Sequence, residues 1–251
     1  MSETNTVDVA EPVSFVFDER SREQIDVILK RYPPERQASA VIPVLYVVQN
    51  QMFRLEDSAW VPRVAMDTVA ALLDMPPIRV YEIATFYTMF NLKPIGRYNL
   101  QVCTTTPCWL RGSDDVVAAC KKATGIAHWG ETSADRLFTM KEVECLGACV
   151  NAPMIQVNDD YYEDLDGPRT EALIAALRRG EVPPPGPTNG RFGSMAEGGK
   201  TTLLDDAALW SPAHYDAEKK ARAEAQARAA AEIAANPPPA ANPPPATKPG
   251  A

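Results

Sequence analysis

Proline limits the length of every element this chain can form. Pro33-Pro34, Pro43, Pro62 and Pro76-Pro77 interrupt the first third. A helix tolerates proline only in its first turn, where the missing N–H has no partner to lose. Residues 15–92 therefore read as four short helices. Ser21 and Gln24 have capping-box spacing, followed by one face of Ile25, Ile28, Leu29 and Tyr32. A second stripe runs through Ala38, Val41, Ile42, Leu45, Val48, Gln49 and Met52. A third helix opens at Pro62 and runs to Leu73. A fourth follows Pro76-Pro77, from Ile78 to about Met89. Of the 23 prolines, 12 crowd into residues 181–251, the far shorter part of the chain. That part reads as a disordered Pro/Ala-rich tail, with an Ala-rich stretch at 216–235 whose Glu218–Arg222 and Glu224–Arg228 pairs suit a solvated helix.

From Arg97 the period shortens to two. Tyr98, Leu100 and Val102 alternate with Asn99, Gln101 and Cys103, which predicts a strand ending at the first cysteine. Ser113–Thr124 predicts a helix with Gly125 as its left-handed cap. Leu137–Val143 is a second strand. Met154–Val157 and Tyr161-Tyr162 flank the turn composition Asn158-Asp159-Asp160, and residues 168–179 form a last amphipathic helix before Gly180. The order is β-α-β-β-β-α, an α/β (α+β) arrangement of a small sheet with helices packed on it. The expected organisation is a flexible N-terminus (1–14), a helical domain (15–94), a sheet domain (95–180) and the tail (181–251).

Composition closes off other classes. Lys and Arg number 25 against 33 Asp and Glu, a net charge of -8 that argues against nucleic acid. No stretch approaches the roughly 20 apolar residues of a membrane-spanning helix. Met1–Pro12 lacks the features of a signal or transit peptide, so the expected location is cytoplasmic. Gly199-Lys200-Thr201 imitates the end of a phosphate loop, but Ser194 stands where glycine is required. No GxGxxG occurs, so no Rossmann nucleotide site is expected. The acidic residues 159–166 read as a solvated hairpin and helix entrance.

Four of the five cysteines form two pairs, Cys103-x4-Cys108 and Cys145-x3-Cys149, each just after a predicted strand. Strand ends at one edge of a sheet can bring two such loops together. A cytoplasmic chain rarely keeps structural disulfides. Neither pair is Cys-x2-Cys, which disfavours a thioredoxin dithiol and the usual zinc knuckles. The wider intervals suit loops wrapped around a binuclear [2Fe–2S] cluster, with a four-Cys zinc site as the competitor. Thr104, Thr105 and Thr106 offer hydroxyls to sulfur, and Gly147 is expected to allow close backbone approach. Cys120 follows Val116 and Val117 on the apolar helix face, the place of a buried inert thiol. His128 and His214 are isolated and do not make a Rieske pattern.

Three segments together carry a resemblance: Ile83-Ala84-Thr85-Phe86-Tyr87-Thr88-Met89-Phe90, Gln101-Val102-Cys103-Thr104-Thr105-Thr106-Pro107-Cys108, and Glu144-Cys145-Leu146-Gly147-Ala148-Cys149. Over about residues 15–180 the chain resembles the family of NADH-quinone oxidoreductase E subunits. These are the small iron–sulfur subunits of the NADH-oxidising arm of respiratory complex I. The resemblance implies a helical N-terminal part and a thioredoxin-like ferredoxin domain. It implies one [2Fe–2S] cluster on Cys103, Cys108, Cys145 and Cys149, with Cys120 outside the motif. It places NADH and FMN on a partner flavoprotein subunit, beside further iron–sulfur subunits, with the complex peripheral on the cytoplasmic face of the inner membrane. The equivalent subunit of a soluble NAD-linked hydrogenase or formate dehydrogenase is the alternative, and a zinc-stabilised interaction module the non-redox one.

Overall fold

The computed structural model describes residues 11–196, 198, 199, 217, 220 and 224. Lys200, Thr201, His214 and most of 216–235 lie outside the described residues, as does most of the expected 1–14 segment. The described chain up to Gly193 belongs to one compact unit.

Its first part is helical: α1 (Glu19–Leu29), a 3-10 segment (Pro34–Ala40), α2 (Val41–Glu56), α3 (Arg63–Leu72) and α4 (Pro77–Phe86). The capping box expected at Ser21 lies one turn too late. Asp18 is the N-cap, its carboxylate accepting from the Ser21 N–H at 2.7 Å. Ser21 is inside the helix and fully buried, its hydroxyl taking a bond from Arg54 at 2.9 Å. Pro62 precedes α3 as its cap rather than opening it. The fourth helix stops at Phe86, short of Met89. Tyr87 turns extended, and the resulting turn drives Phe90 into the core. That core gathers Leu45, Val48, Trp60, Val61, Val69 and Val80. Burying a side chain of this size is worth roughly 1.5–3 kcal/mol.

The second part is a five-stranded sheet whose strands, in spatial order, are β2 (Phe138–Val143), β1 (Tyr98–Cys103), β3 (Ile155–Val157), β4 (Asp160–Glu163) and β5 (Gly186–Pro187). β1 and β2 are parallel, joined through α6 (Ser113–Thr124); β3 runs antiparallel to β1, and β4 returns along it. The α6 boundaries follow from its ends. Asp114 and Asp115 sit in its first turn, Lys121 and Lys122 in its last, and Gly125 closes it in the left-handed region at φ +76°. Tyr98, Leu100, Val102, Phe138 and Met140 pack against Val116 and Cys120 of α6 and Leu173, Ile174 and Leu177 of α7 (Gly167–Arg178). Among the described residues no helix is long and apolar enough to cross a membrane.

Two elements exceed the sequence expectation. A short helix, α5 (Thr106–Leu110), follows β1 directly and carries Cys108. Beyond α7, β5 (Gly186–Pro187) pairs in parallel with β4. The first residues assigned to the tail are therefore part of the fold.

Candidate metal centre

Because β1 and β2 are parallel, their C-terminal ends open at the same edge. Cys103 is the last residue of β1, in register with Val143, the last of β2. The loop after β1 turns into α5 and presents Cys108 one helical turn on. The loop after β2 carries Cys145 and ends in a 3-10 turn, Cys149–Asn151. Cys103 and Cys108 are buried with Ala152 and Met154, while Cys145 and Cys149 are exposed.

The loops hold one another. The Leu146 N–H donates to Cys103, and the Thr105 hydroxyl lies within hydrogen-bonding reach of both Cys103, at 3.2 Å, and Cys145. Tyr161 from β4 braces the second loop by donating to the Leu146 carbonyl at 2.9 Å. Gly147 has φ +83°, and a Cβ built there would meet nothing within 4 Å. Its glycine serves the left-handed backbone.

Protons divide unequally within each pair. Burial acts to raise the Cys103 thiol, but donation from Thr105, from the Leu146 N–H and from Cys108 brings it below its ordinary value. Burial, then the adjacent Cys103, pushes Cys108 up to about 12. In the second pair the Gly147 N–H, then the Cys149 thiol, holds Cys145 below its ordinary value. Cys149, hydrogen-bonded with Cys145 across a 3.4 Å sulfur–sulfur separation, is held above its own. Two thiolates this close cannot both form cheaply without a cation between them. Iron binding would release the retained protons.

Among the described residues, no three His, Cys, Asp or Glu side chains gather as a single metal ion would require. Within the second pair the sulfurs of Cys145 and Cys149 lie 3.4 Å apart. With N–H and hydroxyl donors directed at sulfur, the donor set fits a [2Fe–2S] group. Cys120 is fully buried among the α6–α7 core residues, and burial alone pushes its thiol up to about 12.

Fold and site define the class. Residues 25–178 match the family model for the thioredoxin-like [2Fe-2S] ferredoxin. Over 161 residues the chain is 52% identical to the E subunit of NADH-quinone oxidoreductase from Rickettsia prowazekii (strain Madrid E), covering 64% of this chain and 88% of that protein. Over 200 residues it is 44% identical to the mitochondrial NADH dehydrogenase [ubiquinone] flavoprotein 2 of Dictyostelium discoideum, covering 80% of this chain and 78% of that one. The chain belongs to the family of NADH-quinone oxidoreductase E subunits, within the thioredoxin-like [2Fe-2S] ferredoxins. A solved NAD+-reducing [NiFe]-hydrogenase in the H2-reduced state overlaps 58% of this chain and 23% of its own at 20% identity and a TM-score of 0.49, which bears no weight for function.

Proposed function

We propose that the chain is the small iron–sulfur subunit of an NADH:quinone oxidoreductase, respiratory complex I, holding one [2Fe–2S] cluster on Cys103, Cys108, Cys145 and Cys149. The observation that carries this reading is that parallel β1 and β2 end at one edge of the sheet, with Cys103 in register with Val143, so that the Cys103/Cys108 and Cys145/Cys149 loops open side by side. Such a cluster supplies one-electron transfer and no hydride chemistry. The residues around it do three things. Donors from Thr105, Leu146, Gly147 and Met154 temper the negative charge gathered on four thiolates. Ala152 and Met154 shield the inner pair from water. The outer pair stays open at the surface, with Trp109, Leu110 and Val150 exposed on the residues next to Cys108 and Cys149.

NADH and FMN belong, on this reading, to the partner flavoprotein subunit, which takes two electrons and passes them on singly. The complex sits on the cytoplasmic face of the inner membrane, with neighbouring iron–sulfur subunits as further partners. Identity of 52% across 88% of a relative of that name supports complex I over a soluble hydrogenase or formate dehydrogenase. In the 80–90 segment Phe90 is buried and Tyr81 and Met89 are half-buried, while Phe86 is 76% exposed. Phe86 is our candidate for flavoprotein contact, since aromatic side chains favour interface cores. The test is what co-purifies with the tagged chain from detergent-solubilised membranes. Flavoprotein and membrane subunits are expected. A soluble hydrogenase or formate dehydrogenase in their place overturns the assignment.

A further inference from the structure

The family match ends at residue 178, yet the chain stays bonded to the sheet well past it. Tyr162 donates to the Pro183 carbonyl at 2.9 Å. Gly186 and Pro187 pair with Tyr162 and Glu163. Thr188 then donates through its N–H to the Glu163 carbonyl at 2.9 Å, and through its hydroxyl to the Glu163 and Asp164 carbonyls at 2.9 and 3.0 Å.

Three residues on, Arg191 forks onto Asp164: Nε meets Oδ2 at 3.0 Å, and Nη2 meets Oδ1. The two side chains are only 5% and 3% exposed. The same Nη2 donates to the Val150 carbonyl at 3.2 Å. Asn151 closes the arrangement. Its Nδ2 donates to the Gly193 carbonyl at 2.9 Å and to Asp164 Oδ2 at 3.3 Å, while its carbonyl accepts from the Asp164 N–H at 2.8 Å. Asp164 takes the left-handed conformation, φ 53°, that an aspartate tolerates better than most residues. Val150 and Asn151 are the two residues that follow Cys149.

We propose that residues 186–193 strap the second cysteine loop, with Arg191 as a positioning residue that fixes Cys149 through the Val150 carbonyl and the Asp164–Asn151 bonds. The proposal rests on the reading of Cys149 as a cluster ligand. Its physical basis is the cost of the ion pair. Removing both charges from water carries a desolvation penalty that can match or exceed their mutual attraction, so such a pair is weak evidence for a role in stability alone. It is an effective device for geometry. A forked guanidinium accepts one orientation of its carboxylate, and this one also spends a donor on the backbone one residue from a ligand. Exposed loop cysteines have no packing to do that work.

The test uses the full-length, iron-loaded chain as wild type, Arg191→Met, Arg191→Lys and Cys149→Ser. The readouts are the EPR g-values of the reduced protein and the rate of iron loss to a chelator. Partners that orient metal ligands are worth about 10–100-fold in metal affinity, so Arg191→Met is expected to shift the g-values and speed iron loss at least about tenfold. Arg191→Lys, which keeps the charge but not the fork, should fall between. If Arg191→Met does not fold by circular dichroism, Arg191→Lys decides in the same two readouts. A folded Arg191 variant with a lower Tm but wild-type g-values and iron retention reduces the pair to a structural tie and overturns the proposal. Cys149→Ser separates the two levels. If its spectrum equals wild type, the ligand reading fails; if it changes while the folded Arg191 variants do not, only the strap fails.

Discussion

Among the described glycines the tightest packing is at Gly96, two residues before β1. A Cβ there would lie 2.7 and 2.8 Å from the Phe138 backbone and 2.9 Å from that of Leu137. Backbone in a paired strand cannot step aside, and the Gly96 N–H also bonds Thr139 Oγ1 at 2.6 Å. Gly96→Ala should cost about 1–3 kcal/mol, as overpacking does, read as a lower urea midpoint; an unchanged midpoint would mean that β1 and β2 can separate here without loss. Cys120 makes the opposite case. Cys120→Ala should leave the visible spectrum intact and cost on the order of 1 kcal/mol for the missing sulfur; loss of the chromophore in that variant would place it in the site. The buried position of Cys120 was legible from Val116 and Val117 because helical period records burial. The Gly96 contact was not, because a close approach of two backbones leaves no trace in either period.

At the scale of elements, what the pattern of apolar residues reaches is the middle of a helix or strand; the ends depend on partners distant in sequence. β1, α6 and the β3–β4 hairpin follow their signals closely, since alternation, the Gly125 cap and the Asn158-Asp159 turn are all local. α1 does not. Its true cap, Asp18, is held by Arg54 at 2.8 Å from α2, a contact no local window contains. Asp18→Ala should cost about 1 kcal/mol, as cap removal typically does. Burial tends to raise the Asp18 carboxyl, but bonds from Arg54 and Ser21 outweigh it and lower it from 3.8 to about 2. A carboxyl depressed in the fold stabilises above its unfolded value and loses that contribution as pH falls through the folded one. The stability gap between wild type and Asp18→Asn should therefore be constant above 3.8 and close toward about 2. Thermal melts across that range check it, and a gap that widens as pH falls would reverse the sign. α5 went unread because five residues, one of them proline, carry too little period to register.

For the whole molecule, the two cysteine pairs and their order were readable because chemistry, unlike packing, is written in residue type. The reach of the sheet past Gly180 was not. Proline density announced a tail, but bonds from Tyr162, Asp164 and Asn151 decide where it starts to be tail. A chain ending after Gly180 should lose iron faster than one ending after Gly199, since only the latter keeps β5 and Arg191; equal retention would make residues 186–193 dispensable. The isolated chain should not reduce ferricyanide with NADH, because a one-electron centre cannot accept hydride, and activity in the absence of flavin and partner would reassign the roles. The central claim is that four thiols in two loops hold a binuclear cluster, and EPR of the reduced protein with iron and acid-labile sulfide analysis tests it most directly. The account predicts iron and sulfide in equal amounts and one spin-half signal, disturbed by Ser at Cys103, Cys108, Cys145 or Cys149 and untouched by Ser at Cys120. Zinc without labile sulfide, or one unchanged signal in all four Ser variants, would contradict it.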